Sequence, residues 1–189
     1  MNSMVSEISK YLLTEMDTIT KLDINEIAKA IDVLYTAMLN QKTIYCFGNG
    51  GSASTASHFA NDFNKIINSK FRNKFNFVCL NDNIATIMAV ANDIDYSEIF
   101  SFQLEDRVNH GDVVIAISGS GNSTNVLNGV LDAISQGAKI IALTGYDGGR
   151  LKDLADVNLH VPIDNMQITE DLHLMYNHLI VSIISKFLK

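Results

Sequence analysis

The stretch Thr43–Phe63, TIYCFGNGGSASTASHFANDF, reads as strand, glycine turn and helix. Thr43 to Phe47 is a short β-branched and aromatic run with the length and composition of a buried strand. Gly48-Asn49-Gly50-Gly51-Ser52 is the turn, and helical spacing begins at Ala53. Glycines let backbone N–H groups close around an anion with no Cβ in the way, and the start of the following helix adds its partial positive charge. The loop therefore suits a phosphate or a similar group.

Working outward, residues 3–40 are helical in pattern. Ile8, Leu12, Leu13, Met16 and Ile19 mark a first helix, Lys21-Leu22-Asp23 a break, and Ile27, Ala30, Ile31, Leu34 and Met38 a second helix. Residues 1–40 have no place in a strand–helix alternation, so an oligomer contact is their expected use. Downstream, Phe75–Leu80 reads as a strand and Ile84–Phe102 as helical with a break near Asn92-Asp93. Val113–Ile117 is a third strand, Thr124–Gln136 a helix that Gly137 ends, and Lys139–Leu143 a fourth strand followed by a glycine-rich turn, 144–149. Val157–Val161 is the fifth strand, stopped by Pro162, and Met166–Leu188 is a long last helix. Five short apolar strands alternating with helices, with no linker or internal repeat, predict one three-layer αβα domain over residues 1–189 with a five-stranded parallel sheet. Ligands in such sheets bind beyond the carboxyl ends of the strands, where all three glycine turns should lie.

Composition narrows the function classes. With 47% hydrophobic and 19% charged residues in 189, the chain is an ordinary globular one. A net charge of −7 without a Lys/Arg cluster speaks against a nucleic-acid partner. No apolar run reaches membrane-spanning length, and Glu7, Glu15 and Asp17 stand where a secretory signal would need a basic start and an apolar centre; a cytoplasmic protein with no membrane partner is expected. Cys46 and Cys79 fall inside strand runs with no metal spacing and read as core thiols.

Two loops compete for the ligand. Gly48-x-Gly50-x-x-Ala53 formally matches a dinucleotide fingerprint, but Asp82 lies about 30 residues on after an intervening helix, too far for the ribose-binding acid. No nucleotide cofactor is expected. In the second loop Ser118, Ser120 and Ser123 bring three hydroxyls and interleaved glycines to a helix start, which suits a phosphate monoester better than a helix cap alone requires.

Together, GNGGS at 48–52, His58, Asn92-Asp93, ISGSGNS at 117–123 and LTGYDGGRL at 143–151 resemble the sugar-isomerase (SIS) domain family, and within it the phosphoheptose isomerases. The resemblance runs over nearly the whole chain. It implies a flavodoxin-like five-stranded sheet, a homotetramer with interfacial active sites, and interconversion of sedoheptulose 7-phosphate with D-glycero-D-manno-heptose 7-phosphate. By match of motif it places Asn49, Gly50, Gly51 and Ser52 at the sugar, and Ser118, Gly119, Ser120 and Ser123 at the phosphate, with Asn92 and Asp93 contacting substrate from another loop. It also implies zinc at His58, Asp62, Glu170 and His178, with Asp62 and His178 as base and acid.

Helical spacing is compatible with that set. His58 and Asp62 are four apart on one stripe with Thr55, and Glu170 and His178 return to within about 80° of one face, whereas His173 and His178 diverge by about 140°. The chain departs from the family pattern at Asp62, usually glutamate, and at Glu170, usually glutamine, while Gln167 and Ile168 replace an Asp and an Arg. Either Asp62 or Glu170 can therefore be the base. A phosphosugar-binding protein without catalysis, acting as regulator or scaffold, is the alternative reading.

Overall fold

A computed structural model of the protein describes residues 2–69 and 73–187. Two helices, α1 (Asn2–Ile19) and α2 (Ile24–Leu39), precede the first strand, β1 (Thr43–Gly48). Asp23 caps α2, its carboxylate accepting from the N–H groups of Asn25 and Glu26, and so fixes the break read at residues 21–23. There follow α3 (Gly51–Asn61), a π-helical turn (Asp62–Ile67), β2 (Asn76–Cys79), α4 (Ile84–Asp93), a 3-10 turn (Tyr96–Glu98) and α5 (Ser101–Leu104). The chain closes with β3 (Val113–Ser118), α6 (Thr124–Ser135), β4 (Lys139–Thr144), α7 (Gly149–Leu154), β5 (Val157–His160) and α8 (Met166–Phe187). Leu188, the expected last residue of α8, lies outside the described residues. The helix expected over 84–102 is three pieces, divided where Asp95 turns its carboxylate back to the Ser97 N–H.

Among the described residues the strands form one parallel five-stranded sheet in the order β2-β1-β3-β4-β5. Alternation along the strands sends Ile44, Cys46, Ile115, Ile117, Ile141 and Leu143 to one face, against α2, α3 and α8. Tyr45, Phe47, Val114, Ala116, Ile140 and Ala142 go to the other, against α4, α6 and α7. Strands buried on both faces have to be apolar throughout, which is why β1 and β3 read as continuous hydrophobic runs. Cys46 and Cys79 are buried free thiols of this core.

β2 is an edge strand, and side chains complete its ladder. Asn64 exchanges two hydrogen bonds with Phe77 (3.1 and 2.9 Å), and Asn68 exchanges two with Phe75 (2.7 and 2.8 Å). Both amides stand where a further strand would pair, which closes an otherwise open edge and ties the π-helical turn to the sheet. Strand order reverses between β1 and β3, so the crevice above Gly48 and Ser118 is the place where a sheet of this order binds ligands.

Candidate active site

Three glycine turns follow β1, β3 and β4 at the carboxyl edge of the sheet, as their spacing requires. The first enters α3 through Gly50, whose φ of +55° is strained for any residue with a Cβ. The second is buttressed by the third: the Gly145 N–H donates to the Gly119 carbonyl at 2.8 Å and the Leu151 N–H to the Gly121 carbonyl at 2.9 Å. A cavity of about 200 Å³ opens between the first two turns and α8. Ser118, Gly119, Ser120 and Ser123 line it together with Asn49, Ser52 and Glu170. The Ser118 and Ser123 hydroxyls lie 3.3 Å apart, and Ser120 Oγ accepts from the Asn122 N–H, so two serines face one another while the third shapes the turn.

Other lining residues escaped the sequence reading. Tyr146, Met166 and Thr169 lie on the cavity wall. Asn125 pairs reciprocally with Asn49, each amide donating to the other at 2.8 Å, and Tyr96 donates to Asn49 Oδ1 at 3.1 Å. Asn49 is thus held from two sides. Asn125 sits in the first turn of α6, two residues past Ser123, and that position was the available signal. Asn92 and Asp93 end α4 in solvent, the Asn92 amide donating to Asp93, in the segment whose Tyr96 reaches Asn49.

The catalytic candidates fall into two groups along α3 and α8, which run side by side. At one end the Glu170 carboxylate lies against Gly51, where any Cβ would meet its oxygens. At the other, His58, Asp62 and His178 converge. His58 Nε2 is 3.1 Å from His178 Nε2 and 3.3 Å from Asp62 Oδ2, which is 3.9 Å from His178 Nε2. Gly51 and His58 are seven residues apart, so the backbone positions of α3 that face the two groups lie about two helical turns, roughly 10 Å, apart. Glu170 lines the cavity with the serines, and among the described residues the compact triad consists of His58, Asp62 and His178.

Asp62 begins the π-helical turn and is nearly buried, its side chain 5% exposed against 40% for His58 and 55% for His178. It accepts from Asn177 Nδ2 at 2.8 Å. A π-turn carries one extra residue per turn and is common at functional sites. No periodicity in the sequence announces it.

Four ligands arranged tetrahedrally at zinc distances of about 2.0–2.1 Å stand about 3.3 Å from one another. Two of the triad separations are close to that value and the third is somewhat longer, so two imidazole nitrogens and one carboxylate oxygen fit such an ion and leave a position open. The last helix also carries a buried polar row, Thr169, His173 and Asn177. His173 bonds the Thr144 carbonyl through Nε2 at 3.2 Å, and burial pushes its imidazole down to about 4. It belongs to the core. His160, at the end of β5, bonds the Thr144 hydroxyl through Nδ1 at 3.0 Å, and burial lowers its pKa.

A parallel sheet with its switch point between β1 and β3, a serine-lined cavity there and a His-Asp-His centre beside it define a sugar-isomerase type of fold and site. The SIS-domain profile matches residues 9–145, and the chain belongs to the SIS-domain family. Within it the chain groups with the phosphoheptose isomerases. It is 36% identical to the phosphoheptose isomerase of Aliarcobacter butzleri over 96% of this chain and 97% of that one. It is also 36% identical to a probable phosphoheptose isomerase of Thermoplasma acidophilum, over 95% of this chain and 98% of that one. The solved phosphoheptose isomerase of Neisseria gonorrhoeae superposes with a TM-score of 0.89 at 27% identity, over 97% of this chain and 99% of that one.

Proposed function

We propose that the protein is an aldose–ketose isomerase that interconverts sedoheptulose 7-phosphate and D-glycero-D-manno-heptose 7-phosphate. The observation that carries this reading is the placement of a serine-lined cavity and a His-Asp-His centre about two turns apart along α3 and α8. That span suits a seven-carbon sugar lying along the two helices, its phosphate on the serines and its reacting carbons between Glu170 and the histidines.

Ser118, Gly119, Ser120 and Ser123 hold the phosphate, and Asn49, Gly50, Gly51 and Ser52 contact the sugar, with Asn92 and Asp93 at the rim. Isomerisation moves a proton between adjacent carbons through an enediol, while a second group moves the proton between the two oxygens. Glu170 faces the cavity and Asp62 lies beneath the histidines, so Glu170 is the carboxylate with access to a substrate carbon. His178, the more exposed imidazole, shuttles the oxygen proton, and Asp62 orients both rings. His58, Asp62 and His178 would hold a zinc ion, and Glu170 reaches it only by turning away from Gly51. Zinc there would polarise the carbonyl oxygen of the substrate.

Residues 1–189 act as one SIS domain that assembles into a homotetramer, and the apolar row of α1 supports that assembly. Met4, Val5, Ile8, Leu12, Leu13 and Met16 are all more than half exposed. A contiguous apolar helix face of that kind marks a protein contact. Among the described residues no helix is long and apolar enough to cross a membrane. A cytoplasmic location is part of the same proposal.

A coupled assay with sedoheptulose 7-phosphate tests the reading. Turnover supports it, and binding of the sugar phosphate without turnover replaces it with a non-catalytic phosphosugar-binding role.

A further inference from the structure

Asp62 is gripped by two residues that are neighbours on α8. His178 approaches its Oδ2 from the open side at 3.9 Å, and Asn177, fully buried, donates to the same oxygen at 2.8 Å. Successive helical residues point about 100° apart, so the two meet on one atom only because Asp62 lies buried beneath the histidines. The bond from Asn177 is the shortest of the contacts to the Asp62 carboxylate. The other oxygen, Oδ1, accepts a longer 3.3 Å bond from the adjacent Asn61.

The rest of the Asn177 side chain points to the same conclusion. Its Oδ1 is buried and has no hydrogen-bond partner among the described residues. A buried unpaired carbonyl is unfavourable, so an aliphatic side chain would suit packing alone better at this place. What the amide supplies here is its N–H, and among the described residues the group receiving it is Asp62.

We propose that Asn177 is a positioning residue: its amide fixes the Asp62 carboxylate so that Oδ2 stays turned toward His58 and His178. Asp62 has two side-chain torsions, and without Asn177 the carboxylate is free to rotate its oxygen away from both rings. Asn177 thus acts on metal affinity and turnover through Asp62, without touching substrate. The inference rests on the reading of the triad as the reactive centre.

The test is a double-mutant cycle of Asn177→Leu and Asp62→Ala in the full-length protein, read by zinc titration of metal-free protein and by kcat and KM on sedoheptulose 7-phosphate. Loss of a residue that orients a metal ligand lowers affinity or activity by about 10- to 100-fold. Asn177→Leu should show such a loss in zinc affinity and kcat, with KM within about twofold of wild type. In the Asp62→Ala background the same substitution should change zinc affinity by less than about twofold, because its partner is already gone. Wild-type affinity and kcat in Asn177→Leu, or an equal loss in both backgrounds, overturns the proposal. Asn177→Ser, too short to reach Asp62, carries the cycle if the leucine variant does not fold. Should the wild type isomerise without binding zinc, the metal assignment fails and the kcat comparison alone decides Asn177. Should it bind zinc without isomerising, the isomerase reading fails and the affinity comparison decides.

Discussion

His58 and His178 are 120 residues apart in the chain, yet their Nε2 atoms lie 3.1 Å from one another. Two lone pairs that close repel unless one nitrogen carries a proton or a cation lies between them, so the pair is organised by a shared proton or a shared ion. Replacing either histidine with alanine should therefore remove tight zinc binding. His178→Ala should also lower turnover by at least about 100-fold, the usual contribution of one proton-transfer group, while sugar-phosphate binding survives because the serine loop is untouched. Full activity in His178→Ala on sedoheptulose 7-phosphate sinks the assignment of His178.

Glu170→Gln separates the two carboxylates. With Glu170 on the cavity wall, kcat should fall by about 100-fold or more. KM should stay level or drop, because the substitution removes a negative charge beside the phosphate pocket. Survival of kcat would return the base role to Asp62.

The serine loop is probed by Ser118→Ala with Ser120→Ala. Each hydrogen bond lost to a charged phosphate is worth about 1.5–3 kcal/mol, so the pair should weaken sugar-phosphate binding by at least about 100-fold. Calorimetry giving an unchanged dissociation constant would remove the loop from the site.

Assembly through α1 is tested by Leu12→Glu with Met16→Glu. Burying two charges in an apolar contact is prohibitive, so the variant should dissociate to smaller species in light scattering while retaining its circular dichroism. A wild-type protein that is monomeric at micromolar concentration refutes the contact.

Stability should fall on acidification through His173. Its folded imidazole, pushed down to about 4 by burial, binds a proton far less readily than the unfolded one at about 6.5. The unfolded chain therefore holds more protons between those values. The stabilisation is complete above about pH 6.5 and is lost progressively as pH falls toward 4, by about 3 kcal/mol in all. His173→Leu should flatten that part of the stability profile, and an unchanged slope in denaturant titrations would contradict it.

The order of strands and helices, the two-sided core and the three glycine turns were legible in the residues because they follow from local rules. Apolar runs of strand length, glycine where a turn needs it and a helical period elsewhere leave few alternatives. The serine loop was legible for the same reason, since its three hydroxyls are close in sequence. Spacing on α8 further indicated that Glu170 and His178 share a face and that His173 does not.

Which of those residues meet is a matter of packing between distant segments. That Glu170 lies on Gly51 while His178 lies on His58 depends on how α8 docks along α3, and no local period encodes the register of two helices. The π-turn at Asp62 arises where α3 is tied to the edge strand through Asn64 and Asn68, a tertiary constraint. The Asn49–Asn125 pair and the Asn177–Asp62 bond join residues 76 and 115 positions apart. Sequence determined which chemistry was available at each loop and helix. Tertiary structure decided which side chains share an oxygen, because burial and hydrogen-bond geometry exist only once the helices are packed.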